Sequence, residues 1–171
     1  MYGFYRIASA VPTLRLADID YNIEQIVELY HQAEQSGCAA VVFPELCITG
    51  YSCGDLFFQP TLTQRSNRAA LQLAEETKSS SCVLIFGMPL RIADALYNVA
   101  VVAQSGKIRG IVPKMVLPNN REFYEKRQFR SGKELTTTSV RLGNEEIPIF
   151  TKGVFESPDG FSFGIELCED L

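Results

Sequence analysis

The fold is decided by the stretch AAVVFPE at residues 39–45, in which an uninterrupted apolar run leads directly into a carboxylate. Two residues of this run are β-branched, a composition that favours a short strand buried on both faces. Pro44 ends the strand, because proline has no backbone N–H to donate to a neighbouring strand. Glu45 is therefore predicted at the carboxyl end of a strand, where active sites collect in sheets with parallel strands. Taken alone, Glu45 also fits a solvated loop beside a turn.

Strands and helices are predicted to alternate around this stretch. A strand is expected at residues 5–11, and a helix then begins at Asp18 or Asp20 and ends at Gly37. A second helix is expected from about residue 62 to 78. The resulting β-α-β-α order predicts a sheet with helices packed against it.

The second half of the chain is predicted to be mostly strand and loop. Residues 82–87 form an apolar run, and residues 97–104 and 107–112 flank Ser105-Gly106 as a hairpin would. Further short strands are expected at 147–150, 154–156 and 161–167, with a turn at 157–160 and an ordered loop at 117–132. Lys114 follows the hairpin and a proline, and Cys168 follows the last predicted strand.

Composition excludes several classes of function. The 171 residues are 46% hydrophobic and 21% charged with a net charge of −4, which is typical of one soluble globular domain and gives no electrostatic reason for a nucleic acid or membrane partner. The N-terminus lacks the pattern of a signal peptide, so we expect a cytoplasmic protein. Five cysteines without a Cys-x-x-Cys pair, and the single histidine His31, argue against a metal site or a disulfide scaffold.

Glu45, Lys114 and Cys168 are each predicted near the carboxyl end of a strand. If these strands share a sheet and a direction, a carboxylate, an ammonium and a thiol converge. Such a group can attack an amide or nitrile carbon without histidine, because the thiolate is the nucleophile, the carboxylate moves protons and the ammonium stabilises the oxyanion. Each residue also has a simpler interpretation, since Lys114 fits a surface turn and Cys168 fits an inert core thiol. The other four cysteines are assigned to packing.

Three motifs resemble, in order, the Glu–Lys–Cys motifs of the nitrilase (carbon–nitrogen hydrolase) superfamily: FPEL with TGY at 43–46 and 49–51, PKMVLP at 113–118, and GIELCEDL at 164–171. Together they span nearly the whole chain, which makes the resemblance more specific than any one motif. Within the superfamily, GYSCGDL at 50–56, REFYEKR at 121–127 and LCEDL at 167–171 are most similar to the glutamine-hydrolysing domains of glutamine-dependent NAD synthetases.

The resemblance implies an α/β fold, the α-β-β-α sandwich of the nitrilase type, incomplete here at its C-terminal side. It implies that Glu45 is the general base, Lys114 stabilises the oxyanion and Cys168 is the nucleophile that forms a thioester. The superfamily's second glutamate, which orients the lysine and the substrate amide, matches Glu122 by its spacing from Lys114, and Glu125 is the competing assignment.

Substrate binding is implied for Tyr51, Asn120 and Glu125. Asn120 occupies a place where some relatives carry an aromatic residue. The substrate would be L-glutamine, and its ammonia would pass to a synthetase domain of the same enzyme.

The resemblance also implies a domain organisation. Residues 1–171 would be the N-terminal part of a carbon–nitrogen hydrolase domain, and the synthetase domain, with its ATP and magnesium, would be absent from this chain. A homo-oligomer is expected. The alternatives are a stand-alone ω-amidase or carbamoyl hydrolase of the same superfamily, and a binding module in which Cys168 is structural or redox-responsive.

Overall fold

A computed structural model describes residues 3–157 and 160–171, and its central element is a five-stranded sheet. Its strands lie in the order β1 (Ile7–Ser9), β2 (Ala40–Val42), β3 (Val83–Ile92), β4 (Ala95–Gln104) and β5 (Lys107–Pro113). The first three are parallel, and β4 is antiparallel to both β3 and β5. Consequently β1, β2, β3 and β5 all run in one direction, and their carboxyl ends lie at one edge of the sheet.

Two helices cover one face of this sheet. They are α1 (Ile19–Gln35), whose N-cap Asp18 accepts a hydrogen bond from the Tyr21 backbone, and α2 (Pro60–Glu76). The buried residues of both helices form one core with the apolar residues of the sheet, including Val41, Leu84 and Val101. The predicted β-α-β-α order and the hairpin are therefore confirmed. No helix in the described part of the chain is long and apolar enough to span a membrane.

The other face of the sheet is covered by aromatic side chains from a small hairpin, formed by β8 (Phe155–Glu156) and β9 (Ser162–Phe163). Phe161, together with Phe155 and Phe163, packs on Ile85 and Val102 of the sheet. Further along the chain, Leu167 is buried against β4 and β5. This second apolar layer brings the C-terminal segment to the edge where the parallel strands end.

The strand predicted at residues 161–167 is confirmed only at Ser162–Phe163, and the condition that it shares a sheet with the strands before Glu45 and Lys114 is not met in the described residues. In the described residues this segment pairs with β8 alone and not with the five-stranded sheet. Its alternating residues Phe161, Phe163, Ile165 and Leu167 do lie toward one side, as in a strand, but they bury that side against the face of the sheet. The alternation predicted an extended segment correctly and could not distinguish packing on a sheet from pairing within it.

Other differences concern strand limits. The strand predicted at 82–87 continues to Ile92, and a hairpin of β6 (Ser139–Leu142) and β7 (Glu145–Pro148) stands where a single strand was expected. The predicted turn at 157–160 is closed by a hydrogen bond from the Gly160 N–H to the Ser157 carbonyl, and its centre, Pro158 and Asp159, lies outside the described residues.

Gly87 in the middle of β3 allows the loop after β2 to cross the sheet edge. The loop backbone passes so close that a Cβ on Gly87 would lie 2.3 Å from the Leu46 nitrogen and 2.7 Å from the Glu45 Cα. The crossing is held by hydrogen bonds from the Phe43 N–H to the Ile85 carbonyl and from the Ile48 N–H to the Gly87 carbonyl. Glu45 is thereby carried from β2 over β3 toward β4 and β5.

We expect Gly87→Ala to destabilise the protein, because the atoms in its way are backbone and cannot rotate aside. Overpacking of this kind typically costs about 1–3 kcal/mol in the free energy of unfolding. The matched control is Gly153→Ala, since a Cβ there would make an ordinary contact of 3.5 Å and its change should stay within about 0.5 kcal/mol. Urea denaturation of both variants measures the difference, and equal stabilities would contradict the close crossing.

Candidate active site

Lys114 is the centre of the site. It follows β5 directly, and only 1% of its side chain is exposed. Its Nζ donates to Glu45 Oε2 and to Glu125 Oε1, both at 2.9 Å. Burial lowers the pKa of Lys114, but the two carboxylates outweigh burial and hold the pKa above its ordinary value. Lys114 is therefore a charged ammonium at neutral pH and not the surface lysine of the simpler interpretation.

The Lys114 backbone is fixed on both sides. Its N–H donates to the Asn98 carbonyl on β4 at 2.9 Å, and its carbonyl accepts from the Gly132 N–H at 2.8 Å. Because β4 runs opposite to β5, the beginning of β4 lies at the same edge as the end of β5. The sheet thus sets the position from which the lysine side chain extends.

Glu45 is held by two donors on one oxygen. Its Oε2 accepts from the buried Asn98 Nδ2 at 2.6 Å and from Lys114 Nζ at 2.9 Å. Within the described residues, its Oε1 has no protein hydrogen-bond partner. One carboxylate oxygen is therefore used for positioning, and the other is available to accept a proton.

Glu125, and not Glu122, makes the second ion pair with Lys114. Glu125 lies in a 3₁₀ turn, Glu125–Arg127, and is 5% exposed, whereas Glu122 is exposed. The Tyr51 hydroxyl donates to Glu125 Oε1 at 2.6 Å, which is the same oxygen that Lys114 contacts. The competing assignment is thus the one that the geometry favours, because the turn directs Glu125 inward and leaves Glu122 at the rim.

Tyr51 is held as a hydrogen-bond donor. Partial burial and the Glu125 carboxylate raise its pKa well above the ordinary value, and Glu45 and Cys168 contribute in the same direction. Tyr51 is therefore a donor that fixes the orientation of the Glu125 carboxylate.

Cys168 begins a short 3₁₀ turn, Cys168–Asp170, and its side chain is exposed. Its φ of 56° is a left-handed conformation that non-glycine residues adopt rarely. The turn is joined to the chain after Lys114, because the Asp170 carboxylate accepts hydrogen bonds from the Met115 and Val116 N–H groups. Within the described residues Cys168 belongs to none of the apolar clusters, unlike the inert core thiol of the simpler interpretation.

A cavity of about 220 Å³ adjoins Tyr51 and Glu125, and Glu45, Lys114 and Cys168 are not among its lining residues. The cavity is lined by residues from two segments, 51–57 and 122–129, which include Tyr51, Glu122 and Glu125. Two buried polar atoms among these residues, Glu125 Oε2 and Gln128 Nε2, have no hydrogen-bond partner in the described part of the chain. Asn120 is exposed and is not among the residues that line the cavity, so its expected contact with substrate stays a prediction.

The remaining cysteines are buried, as the sequence predicted: Cys38, Cys47, Cys53 and Cys82. Burial raises the pKa of Cys47 to about 12 and that of Cys82 to about 11, so neither thiol is reactive at neutral pH. Among residues 3–157 and 160–171, no group of three or more His, Cys, Asp or Glu could hold a metal ion.

Sequence reasoning missed three residues that position the site: Gly87, Asn98 and Asp170. Gly87 permits the loop crossing, Asn98 holds Glu45, and Asp170 ties the Cys168 turn to the lysine loop. A signal was present for Asn98, because a polar residue within the apolar strand ALYNVAVV is costly to bury without a partner. The sequence around Gly87 carried no comparable signal, and Asp170 lies in the LCEDL motif at 167–171, which does not indicate its backbone contacts.

Comparisons with known proteins concern the family and the fold of this chain. A family model described as carbon-nitrogen hydrolase matches residues 6–171. The glutamine-dependent NAD(+) synthetase of Mycobacterium tuberculosis is 36% identical over 172 residues, covering 99% of this chain and 25% of that protein. The corresponding enzyme of Thermotoga maritima is 30% identical over 96% of this chain and 25% of its own length. The chain therefore spans about a quarter of these curated relatives.

Solved structures confirm the predicted α/β fold of the nitrilase type. A glutamine-dependent NAD(+) synthetase from Cytophaga hutchinsonii superposes with a TM-score of 0.89 at 27% identity, over 98% of this chain and 28% of that one. An amidase from Nesterenkonia sp. superposes with a TM-score of 0.65 at 20% identity, over 85% of this chain and 55% of that one. The second likeness concerns the fold alone.

The assignment of the second ion pair predicts different stabilities for two neighbouring variants. Glu125→Gln should lower the free energy of unfolding by about 1.5–3 kcal/mol, since a hydrogen bond to a buried charge is weakened. Glu122→Gln should change it by less than about 0.5 kcal/mol, because that side chain is exposed. Urea denaturation measures both free energies of unfolding. A larger loss in Glu122→Gln than in Glu125→Gln would indicate that Glu122 makes the ion pair.

The exposure of the cysteines predicts selective alkylation. Iodoacetamide should modify Cys168 alone in the native protein and all five cysteines after denaturation, because the other four are buried. Intact mass followed by peptide mapping identifies the modified residue. A Cys168→Ala variant that still takes up one label in the native state would contradict this exposure pattern.

Proposed function

The chain belongs to the carbon–nitrogen hydrolase family, and from that premise we propose that it hydrolyses the side-chain amide of L-glutamine to supply ammonia for NAD synthesis. The relatives at 30% identity and above are glutamine-dependent NAD(+) synthetases, which supports glutamine as the substrate over the ω-amidase or carbamoyl hydrolase alternative. The observation that carries the proposal is the buried Lys114 ammonium held between two carboxylates, with the turn that bears Cys168 bound to the backbone after Lys114.

In the proposed reaction, Cys168 attacks the carbonyl carbon of the substrate amide. The thiol proton passes to the Glu45 carboxylate, whose Oε1 is free to accept it while Oε2 stays bound to Asn98 and Lys114. A carbon–sulfur bond forms, and the carbonyl oxygen becomes an oxyanion. The Lys114 ammonium stabilises that charge, and burial makes this interaction stronger than it would be in water.

The tetrahedral intermediate then collapses. The carbon–nitrogen bond breaks, and Glu45 returns its proton to the leaving nitrogen, so that ammonia departs and a thioester remains on Cys168. Water next attacks the thioester and gives a proton to Glu45. The carbon–sulfur bond breaks, glutamate leaves, and the thiolate recovers the proton from Glu45.

In this proposal Glu125 binds both the lysine and the substrate, and Tyr51 positions Glu125. Glu125 Oε1 binds the lysine, and its buried Oε2 has no partner within the described residues and can accept a hydrogen bond from the substrate amide nitrogen. The Tyr51 hydroxyl fixes the orientation of the same carboxylate. Glu122, which is exposed and lines the cavity, would pair in this proposal with the α-ammonium group of the substrate.

The wider proposal concerns the complete enzyme. We assign residues 1–171 to the N-terminal part of the glutaminase domain, and we assign ATP and magnesium to a synthetase domain that would receive the ammonia. The homo-oligomeric assembly and the cytoplasmic location stay predictions from the sequence.

The experiment that tests the function is Cys168→Ala in the intact protein. Release of glutamate from glutamine should be abolished, because the thioester cannot form. NAD formation from its nicotinic acid precursor, ATP and glutamine should also stop, and added ammonium chloride should restore it, since the substitution removes only the source of ammonia.

Two results would contradict the proposal. Normal glutaminase turnover by the Cys168→Ala variant would remove the nucleophile. A wild-type protein that hydrolyses other carboxamides and shows no activity on glutamine would favour the amidase alternative. The matched control is Cys53→Ala, which removes a buried thiol with a raised pKa and should leave glutaminase turnover in place.

A further inference from the structure

The Asp170 carboxylate makes an unusual set of contacts with the backbone. Its Oδ1 accepts from the Met115 N–H at 3.0 Å and from the Val116 N–H at 2.6 Å. Its Oδ2 lies 3.1 Å from the Met115 nitrogen and 3.3 Å from that of Leu167. A single side chain thus joins the turn that carries Cys168 to the two residues that follow Lys114.

This connection matters because Cys168 is not brought to the site by pairing in the sheet. Preceding it, Leu167 is anchored by apolar packing against Ala100 and Val112. Following it, the Asp170 carboxylate is bound to the lysine loop. Cys168 lies between these two anchors with a φ of 56°, so the direction of its side chain depends on both remaining in place.

The other side of the connection is rigid. Met115 and Val116 directly follow Lys114, whose backbone is hydrogen-bonded to Asn98 and to Gly132. A displacement of the Cys168 turn relative to these N–H groups is therefore also a displacement of the sulfur relative to the lysine. The Asp170 contacts are the hydrogen bonds that couple the two positions within the described residues.

We propose that Asp170 is a positioning residue, which holds the Cys168 turn against the backbone after Lys114 and so sets the sulfur at the distance and direction that attack requires. It touches neither the substrate nor the reacting atoms. The effect on glutamine turnover rests on the proposed function, whereas the effect on the cysteine itself does not.

The chemistry of the contacts explains why a carboxylate suits this position. Two adjacent N–H donors and a third from Leu167 require acceptors, and an ionised aspartate offers acceptors on both oxygens. Asparagine keeps one acceptor and would direct an amide N–H₂ toward a donor. Glutamate keeps both acceptors but adds a methylene, which would push the turn away from the lysine loop.

The test compares Asp170→Ala and Asp170→Asn with the wild-type intact protein. For Asp170→Ala, kcat for glutamine should fall about 10²-fold with KM within about threefold, since misplacing a reacting group by 1 Å has costs of this order. Asp170→Asn should retain an intermediate kcat, because its remaining oxygen still binds the backbone. Circular dichroism melting shows whether each variant is folded.

A second measurement is independent of glutamine. The rate at which iodoacetamide alkylates Cys168 in the native protein should fall about tenfold in Asp170→Ala, because the turn that presents the thiol loses its attachment to the backbone after Lys114 and no longer holds the sulfur in one orientation. The matched control is Asp18→Ala, which also removes a carboxylate bound to a backbone N–H, at the start of α1 and far along the chain from the site. Its alkylation rate and kcat should match the wild type.

Several results would overturn the proposal. It fails if kcat and the alkylation rate in Asp170→Ala both stay within threefold of wild type. It also fails if both fall only in proportion to the folded fraction of Asp170→Ala, or if they fall equally in Asp18→Ala. If Asp170→Ala does not fold, a wild-type alkylation rate in Asp170→Asn overturns it. A wild-type protein without glutaminase activity would contradict the proposed function, while a slowed alkylation in the variants would still support Asp170.

Discussion

The site depends on one interaction, the burial of the Lys114 ammonium between Glu45 and Glu125. An ammonium removed from water loses several kcal/mol of solvation, which must be replaced by partners of opposite charge and good geometry. Two carboxylates, each 2.9 Å from Nζ, supply that replacement and keep the lysine charged. If either carboxylate is removed, the buried ammonium loses one of its two partners of opposite charge. The three side chains therefore behave as a single unit, and the rest of the fold serves to bring them together.

Bringing them together is a problem of sheet geometry. Glu45 follows β2 and Lys114 follows β5, and the two strands are separated by β3 and β4. With neighbouring strands about 4.8 Å apart, this separation is roughly 14 Å, too far for two side chains that simply extend from their strand ends. The loop after β2 closes the distance by crossing β3 at Gly87, where the absence of a Cβ lets backbone pass over backbone. Asn98 on β4 then receives the carboxylate at the end of this crossing. A small residue on one strand and a polar residue on the next thus determine whether an acid and an amine meet.

The sequence predicted the parts of this arrangement that depend on patterns of neighbouring residues. An apolar run followed by proline and a charged residue placed both Glu45 and Lys114 at strand ends, and the hairpin fixed the direction of β5. The choice between Glu122 and Glu125 could not be made in the same way. Both lie in a loop without periodicity, and a 3₁₀ turn of three residues decides which one points inward. Gly87 and Asp170 act through contacts with backbone distant in the chain, and no pattern of neighbouring residues encodes such contacts.

The segment before Cys168 is attached to the sheet differently from the strands before Glu45 and Lys114. Alternating apolar residues from Phe161 to Leu167 predicted a strand, and a strand in the sheet would have fixed Cys168 as firmly as Lys114. Instead the segment packs its apolar side on the sheet and leaves its backbone outside the main ladder. The acid and the amine are consequently built into the rigid edge of the sheet, whereas the thiol is exposed on a turn attached to that edge. A nucleophile must change its bonding partner twice in the proposed cycle, while the ammonium and its carboxylates must remain in place. A buried ion triad is suited to the second requirement, and a turn held by the packing of Leu167 and by the Asp170 carboxylate is suited to the first.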